Sequence, residues 1–294
     1  MEMEIIIAKN SGLCYGVKRA LHLAKETRRR TRGKVSTLGD LIHNPKVIAD
    51  LKKKGIDSAP SLAEVAAGTV IIRSHGVSPE VYRTLKRKKI EIVDATCPIV
   101  KKIQDLVASL ARTKNEIVIV GNREHPEIQG LIGYSRGRGV IVESEAQAAG
   151  LPFRKKRAVL AQSTQDRYLF EKVAAVLVGK TGELAVYNTI CHSTQTRQKS
   201  TSELAGRVDT LFIIGGKSSS NTNKLYQISK RILPNTHFIE NADQITPEML
   251  EGATTIGLSG GASTPPEAIR EAVAKIAGSF KKPSQRESCV QCQS

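Results

Sequence analysis

Residues 91–111 read EIVDATCPIVKKIQDLVASLA: an apolar run, then Cys97, then apolar residues at helical spacing beginning with Pro98. The change of period places Cys97 at a strand-to-helix turn, and proline at the first helical position marks a helix start. The same arrangement occurs twice more. IIIAKNSGLC (5–14) leads into YGVKRALHLAKE (15–26), and AVYNTIC (185–191) leads into HSTQTRQKSTSELA (192–205). Cys14, Cys97 and Cys191 are 83 and 94 residues apart, far wider than the few-residue spacing of zinc-finger ligands. A recurrence of this length predicts three related units, each contributing one thiol. Packed about a common axis, they bring three thiols to a point that no local motif marks.

The stretches downstream of the three cysteines repeat as well. In each, a β-type segment (KVSTLG, NEIVIVG, DTLFIIGG) precedes a polar group at His43, His125 and Ser219, just ahead of a helical pattern. A second polar site recurs at Ser74–Gly76, Gln162–Thr164 and Gly261–Thr264. Between the two sites the segments SLAEVAAG, SEAQAAG and TPEMLEG predict short capped helices ending at Gly68, Gly150 and Gly252. The expected fold is α/β, with three pseudo-repeated units of about ninety residues. Their expected bounds are 1–96, 97–190 and 191–280, with a polar tail at 281–294.

The chain has 294 residues, 40% hydrophobic, the profile of an α/β enzyme. No run approaches the ~20 apolar residues that cross a bilayer. MEMEIII enters a strand directly without the features of a signal peptide. Five cysteines in that setting point to free or metal-bound thiols in a reducing cytoplasm. A formal charge of +17 favours anionic partners. The basic runs RRRTRGK, LKKKG, LKRKK and FRKKR fall at helix ends and loops, where cations are favoured anyway. With 4% aromatics and no Trp, a base-stacking platform for nucleic acid is not expected. Cys289 and Cys292 in the tail form half of a zinc site at most and read as accessory.

The polar recurrences coincide with helix starts. Proline comes directly after Asn44, Ser78, Cys97, His125 and Thr264, placing His43, Cys97, His125 and Ser263 at or just before helix N-termini. Such termini present unpaired N–H groups and the positive dipole end, which suit both an anion and a thiolate. GGKSSSN lacks the upstream glycine of a P-loop, with Leu211 in its place. There remains a hydroxyl- and amide-rich helix start at Ser219, Ser220 and Asn221. His43, His75 and His125 all fall in loops after strands, where α/β folds bind ligands. His22 and His237 read as structural, and His192 flanks Cys191 without a recurring pattern. Glu127, in the first turn after His125, is either a helix-dipole partner or a proton donor beside the anion site. Three thiols suit an iron–sulfur cluster with one iron open to substrate, or a zinc site completed by a histidine. Spacing alone leaves both open, and with them an alternative reading as a basic anion- or nucleic-acid-binding module with structural zinc.

Eight segments taken together carry a resemblance: LCYGVKRA, GDLIHNP, IRSHGVSP, DATCP, GNREHPEIQG, ICHSTQTRQ, KSSSNTNKL and GGASTPPE. In this order, over residues 3–280, the chain resembles the 4-hydroxy-3-methylbut-2-enyl diphosphate reductase family of the non-mevalonate isoprenoid pathway. The resemblance implies a trefoil of three α/β units around a central [4Fe–4S] cluster, ligated by Cys14, Cys97 and Cys191 with one iron open to substrate. It implies that His43, His75, His125, Ser219, Ser220, Asn221 and Ser263 hold the diphosphate and that Glu127 delivers protons. Gln162-Ser163-Thr164 stands where the family usually has Gln-Thr-Thr beside the substrate hydroxyl, so Ser163 keeps a hydroxyl and loses a methyl. The implied reaction is reductive dehydroxylation to isopentenyl and dimethylallyl diphosphate. Its electrons would come from an acidic carrier of the ferredoxin or flavodoxin type, which a basic surface suits.

Overall fold

The computed structural model describes residues 4–65 and 68–279. Within them, twelve parallel strands form three sheets of four. The strands are β1 (Glu4–Ile7), β2 (Val35–Leu38), β3 (Ile56–Ala59), β4 (Thr69–Ile72), β5 (Glu91–Asp94), β6 (Glu116–Val120), β7 (Gly139–Val142), β8 (Arg154–Ala161), β9 (Thr181–Tyr187), β10 (Thr210–Ile214), β11 (Thr236–Ile239) and β12 (Thr255–Gly260). The sheet orders are β3-β2-β4-β5, β7-β6-β8-β9 and, reversed, β11-β10-β12-β1. Each unit therefore has one topology, with its chain direction switching between its first and third strands. The sequence repeat is a fold repeat.

The helices are α1 (Tyr15–Arg30), α2 (Pro45–Lys53), α3 (Pro79–Arg87), α4 (Pro98–Leu110), α5 (Pro126–Tyr134), α6 (Glu145–Ala149), α7 (Arg167–Val178), α8 (His192–Ala205), α9 (Ser220–Ile232) and α10 (Pro266–Ser279). They cover both faces of each sheet, and the two-residue strand period divides the core accordingly. In the second sheet Ile117, Ile119, Ala158 and Leu160 face α4 and α5, packing on Ile103, Val107, Ile128 and Leu131. The alternate residues Val118, Val120, Val159 and Ala161 pack on Phe170, Val173 and Leu177 of α7. Burying each Val, Ile, Leu or Phe stabilises by about 1.5–3 kcal/mol, which is why the central strands read as continuous apolar runs. The first and second units approach closely at α5. A Cβ on Gly133 would lie 2.5 Å from Cβ of Ser78, so only glycine fits there.

Four expectations are corrected. Residues 1–96 do not form a unit of their own: β1 pairs with β12, Glu4 to Thr255 through Ile7 to Leu258, and completes the third sheet. Ser61–Val65 form turns instead of a helix, because Leu62 and Val65 are drawn into the core beneath Leu38 and Val70. The segment Pro247–Leu250 is a single 3-10 turn, whereas α6 is the short helix expected, capped by Ser144 and ended by Gly150. Gly68 and Gly252 do take positive φ (+126° and +71°), whereas Gly150 ends α6 at φ −72°. Helix α10 begins at Pro266, one residue later than the Thr264-Pro265 boundary. Cys289 and Cys292 lie outside the described residues. Among the described residues, no helix is long and apolar enough to cross a membrane.

Candidate functional site

The three units turn the same ends of their strands toward one cavity, about 100 Å³ in volume. In each unit a cysteine comes after the fourth strand and caps a helix: Cys14 before α1, Cys97 before α4, Cys191 before α8. Each cysteine N–H donates to a carbonyl just beyond the neighbouring third strand: Cys97 to Ser74 (2.9 Å), Cys191 to Ser163 (2.9 Å) and Cys14 to Ala262 (3.0 Å). One local device, used three times, aims three thiols into one space. All three are free, and all line the cavity.

The thiols are crowded. A Cβ on Gly16 would sit 2.6 Å from Sγ of Cys97, so the absence of a side chain there makes room for the sulfur. Burial pushes the Cys97 thiol above its ordinary pKa, against the amides of Ile99 and Val100 that favour the thiolate; Cys14 and Cys191 add repulsion. As thiolates, three sulfurs gathered in one space call for a cation among them. A thiophilic metal centre fits this donor set, and a coordinating thiol is deprotonated outright.

The loops after the first and third strands supply the rest. His43, His75 and His125 pack ring to ring, with centroids 4.3 Å apart for the first pair and 5.3 Å for the other two. Burial lowers the pKa of each; Asp40 opposes this at His43, neighbouring rings add repulsion at His75 and His125, and Arg73 lowers all three. His75 falls well below the ordinary value and His125 drops to about 3. All three are neutral at neutral pH. The Glu127 N–H donates to Nδ1 of His125 at 3.2 Å, which fixes the tautomer with the proton on Nε2. His125 therefore presents a donor, the polarity an anion requires. The three imidazoles also lie close enough to share a metal ion, but that would need a lone pair on Nε2 of His125 and two N–H groups facing each other behind it.

The third unit contributes hydroxyls and an amide. Ser219 caps α9 by accepting from the Thr222 N–H at 3.4 Å, which leaves its own O–H free to donate. Ser220 shares hydrogen bonds with Thr164 (3.0 Å) and Gln162 (3.2 Å) of the second unit. Asn221 is 3% exposed, and neither its amide nitrogen nor its oxygen has a partner. Nε2 of His43 and Nδ1 of His75 are likewise buried and unpaired. Gathered at one cavity, these unpaired polar groups form a set that a polar ligand can satisfy. Ser263 also lines the cavity, but its hydroxyl donates to the His43 carbonyl (3.0 Å) while Asn44 Nδ2 donates to its own carbonyl (3.0 Å). That pair ties the first unit to the third.

Glu127 is 1% exposed in the first turn of α5. Oε1 accepts from the Ser163 N–H at 2.6 Å and Oε2 from the Ser163 hydroxyl at 2.7 Å. Burial raises its pKa while both Ser163 contacts lower it, with a net upward shift. A carboxyl whose pKa is raised and which opens on the cavity can hold and release a proton. Ser163, expected beside a substrate hydroxyl, is also what holds Glu127 in place.

The three cysteines, the three loop histidines, Glu127 and the hydroxyl and amide candidates named from the sequence all line this one cavity. The structure adds Ser74, Ser193, Thr194 and Arg197 to the lining, and Gln162 as the link between Thr164 and Ser220. Ser74 and Gln162 stand in the recurrent second polar site, which is the signal for them. Arg197 has no such marker.

The matches to known proteins agree with this architecture. The LytB protein family matches residues 5–277. The 4-hydroxy-3-methylbut-2-enyl diphosphate reductase of Geobacter metallireducens is 42% identical over 274 residues, 93% of this chain and 97% of that protein. The protein of the same name from Caldanaerobacter subterraneus is 44% identical over 278 residues, 93% and 96% of the two chains. A solved structure of (E)-4-hydroxy-3-methyl-but-2-enyl diphosphate reductase, the terminal enzyme of the non-mevalonate pathway, superposes with a TM-score of 0.68 at 41% identity, covering 94% of this chain and 99% of that one. The reductase from Plasmodium falciparum superposes with a TM-score of 0.90 at 25% identity, covering 97% and 90%. Matched along nearly its whole length in sequence and in its three-sheet architecture, the chain belongs to the LytB protein family.

Proposed function

We propose that this chain reduces 4-hydroxy-3-methylbut-2-enyl diphosphate, the compound in its relatives' name, and that the products are isopentenyl and dimethylallyl diphosphate. The observation that carries the reading is one cavity lined by three free thiols, a set of unpaired neutral donors and a buried carboxyl. In this reading Cys14, Cys97 and Cys191 hold a [4Fe–4S] cluster. When bound, the cluster supplies electrons one at a time and a Lewis-acidic iron for the allylic hydroxyl. The neutral His43, His75 and His125 donate to the diphosphate with Ser219, Ser220 and Asn221, Ser263 joins them by turning its hydroxyl from the His43 carbonyl, and Thr164 orients the hydroxyl end. Glu127, steadied by Ser163, supplies a proton. The balance is one C–O bond broken, two electrons and two protons consumed, and water released. Protonation at either end of the allylic carbons sets the product. An acidic one-electron carrier of the ferredoxin or flavodoxin type suits the positive chain.

The zinc alternative fits less well. A sulfur-rich zinc site completed by a histidine would draw one ring toward the thiols, whereas the three rings pack against one another, His43 stacked on His75 and His125 edge-on to both. The test is anaerobic purification with iron and sulfide analysis and turnover of the diphosphate under a chemical reductant. Wild type is expected to be brown and active, and Cys14→Ser, Cys97→Ser and Cys191→Ser to lose turnover and most of their iron. A colourless active protein, or full iron content in any of the three variants, overturns the assignment.

A further inference from the structure

Arg197 is 2% exposed in the second turn of α8. Its Nη2 donates to the Gly12 carbonyl at 2.8 Å, and its Nη1 approaches the Ser193 carbonyl and hydroxyl at 3.3 and 3.4 Å. Gly12 and Ser193 each stand two residues from a cysteine, Cys14 and Cys191, so the guanidinium lies between two of the three thiol turns. Its Nε–H is buried without a partner. Among the described residues no carboxylate pairs with it; the ionisable groups that act on it are the sulfurs of Cys14 and Cys191.

Arg157 is the contrasting case. That side chain is 0% exposed, and its Nε donates to Glu116 at 2.6 Å while Nη1 donates to the Lys180 carbonyl at 2.8 Å. Arg157, buried as fully as Arg197, has a carboxylate beside it. A guanidinium stays protonated in proteins and is costly to remove from water unpaired. If Arg197 only stapled the Gly12 turn, a neutral donor would do so without that penalty.

We propose that Arg197 is the fixed counter-charge of the thiol-bound centre and holds its reduction potential up. The inference rests on the cluster reading above. A thiolate-ligated cluster is net negative and gains a further negative charge on reduction. A permanent cation beside two of its ligands stabilises the reduced form more than the oxidised one, and burial weakens the screening of that effect. Arg197 is thus a positioning residue for electron acceptance and does not itself touch the reacting atoms.

The test is an anaerobic redox titration, monitored by paramagnetic resonance and paired with iron analysis, on wild type, Arg197→Gln, Arg197→Lys and Ser193→Asp. Arg197→Gln is expected to lower the reduction equilibrium constant at least tenfold, about 59 mV for a one-electron couple. Arg197→Lys keeps the charge and is expected to stay close to wild type. Ser193→Asp leaves Arg197 and its Gly12 contact in place but neutralises it, and is expected to lower the midpoint as Arg197→Gln does. Should Arg197→Gln fail to retain iron, Ser193→Asp decides. Wild-type midpoints in the cluster-loaded variants overturn the proposal and leave Arg197 a structural staple. Wild-type protein that binds no iron overturns the cluster reading itself, and this inference with it.

Discussion

Replacing Glu127 by Gln separates chemistry from binding, because the structure lets the amide fit. Both carboxylate oxygens accept from Ser163, at 2.6 Å from its N–H and 2.7 Å from its hydroxyl. A Gln side chain in the same position keeps its carbonyl on the N–H. Its NH₂ then donates to the hydroxyl oxygen, which changes from donor to acceptor by rotating one hydrogen. Two hydrogen bonds to a charged group, worth about 1.5–3 kcal/mol each, become neutral ones worth about 0.5–1.5 kcal/mol each. The burial penalty that raises the Glu127 pKa disappears at the same time. These changes oppose one another, so cluster content and thermal stability should stay near wild type. The groups assigned to the diphosphate lie on other side chains, so its affinity should hold as well. Turnover alone should fall, by about 10²–10⁴ for a lost positioned acid, which is roughly 2.7–5.4 kcal/mol of barrier. Single-turnover kinetics on reduced, cluster-loaded enzyme, with calorimetric affinity for the diphosphate, measures both quantities. A variant that turns over within about threefold of wild type, well short of that range, refutes the role. A loss carried by affinity moves Glu127 to the binding set.

The same geometry carries further expectations. Removing the Ser163 hydroxyl in Ser163→Ala takes away a contact that lowers the Glu127 pKa, so the alkaline limb of kcat should move to higher pH; a downward shift contradicts the assignment of that limb. In the cluster- and ligand-free chain the three loop histidines stay neutral to lower pH than unfolded ones, which protonate below the ordinary value of 6.5. Stability should therefore be lost as pH falls from 6.5 toward about 3, the folded value of His125. The slope should be about 1.4 kcal/mol per pH unit for each histidine; His75→Asn should flatten it in denaturant titrations, and a gain of stability on acidification would refute the reasoning. Gly16→Ala would put a methyl 2.6 Å from Sγ of Cys97. It should cost about 1–3 kcal/mol of overpacking and lower iron content, whereas full iron loading would show that the thiol has room to move.

The thiol set is legible in the sequence because a cysteine between an apolar run and a helix start is a local pattern, and it occurs three times. The donor loops are legible for the same reason: each comes after a strand, and a proline marks most of the helices that begin there. Partnership between strands is not. Nothing in Glu4–Ile7 says that it belongs beside Thr255–Leu258, since pairing over such a separation leaves no periodic trace. The Ser61–Val65 turn reads as a helix because Leu62 and Val65, spaced as on a helix face, in fact anchor a loop. Arg197 is silent in the sequence for a related reason. Helix α8 buries Thr194, Arg197, Gln198 and Thr201 at helical spacing, so its inward stripe is polar where it borders the cavity. A reading based on apolar periodicity sees no inward face there.

The pairing of β1 with β12 also fixes the order in which the site can be completed during synthesis. Cys97 and Cys191 find their carbonyl partners, Ser74 and Ser163, only 23 and 28 residues upstream, in chain already made. Cys14 leaves the ribosome first, yet its partner Ala262 and the strand that seats it come 248 residues later. Until Thr255–Leu258 emerges, the first thiol has no sheet to stand on, however well the middle of the chain has folded. A nascent chain can therefore present two ordered thiols, never three, and the cavity closes as a ring closes, when its last segment meets its first. Loading of a three-thiol centre is on this account an event of the finished chain.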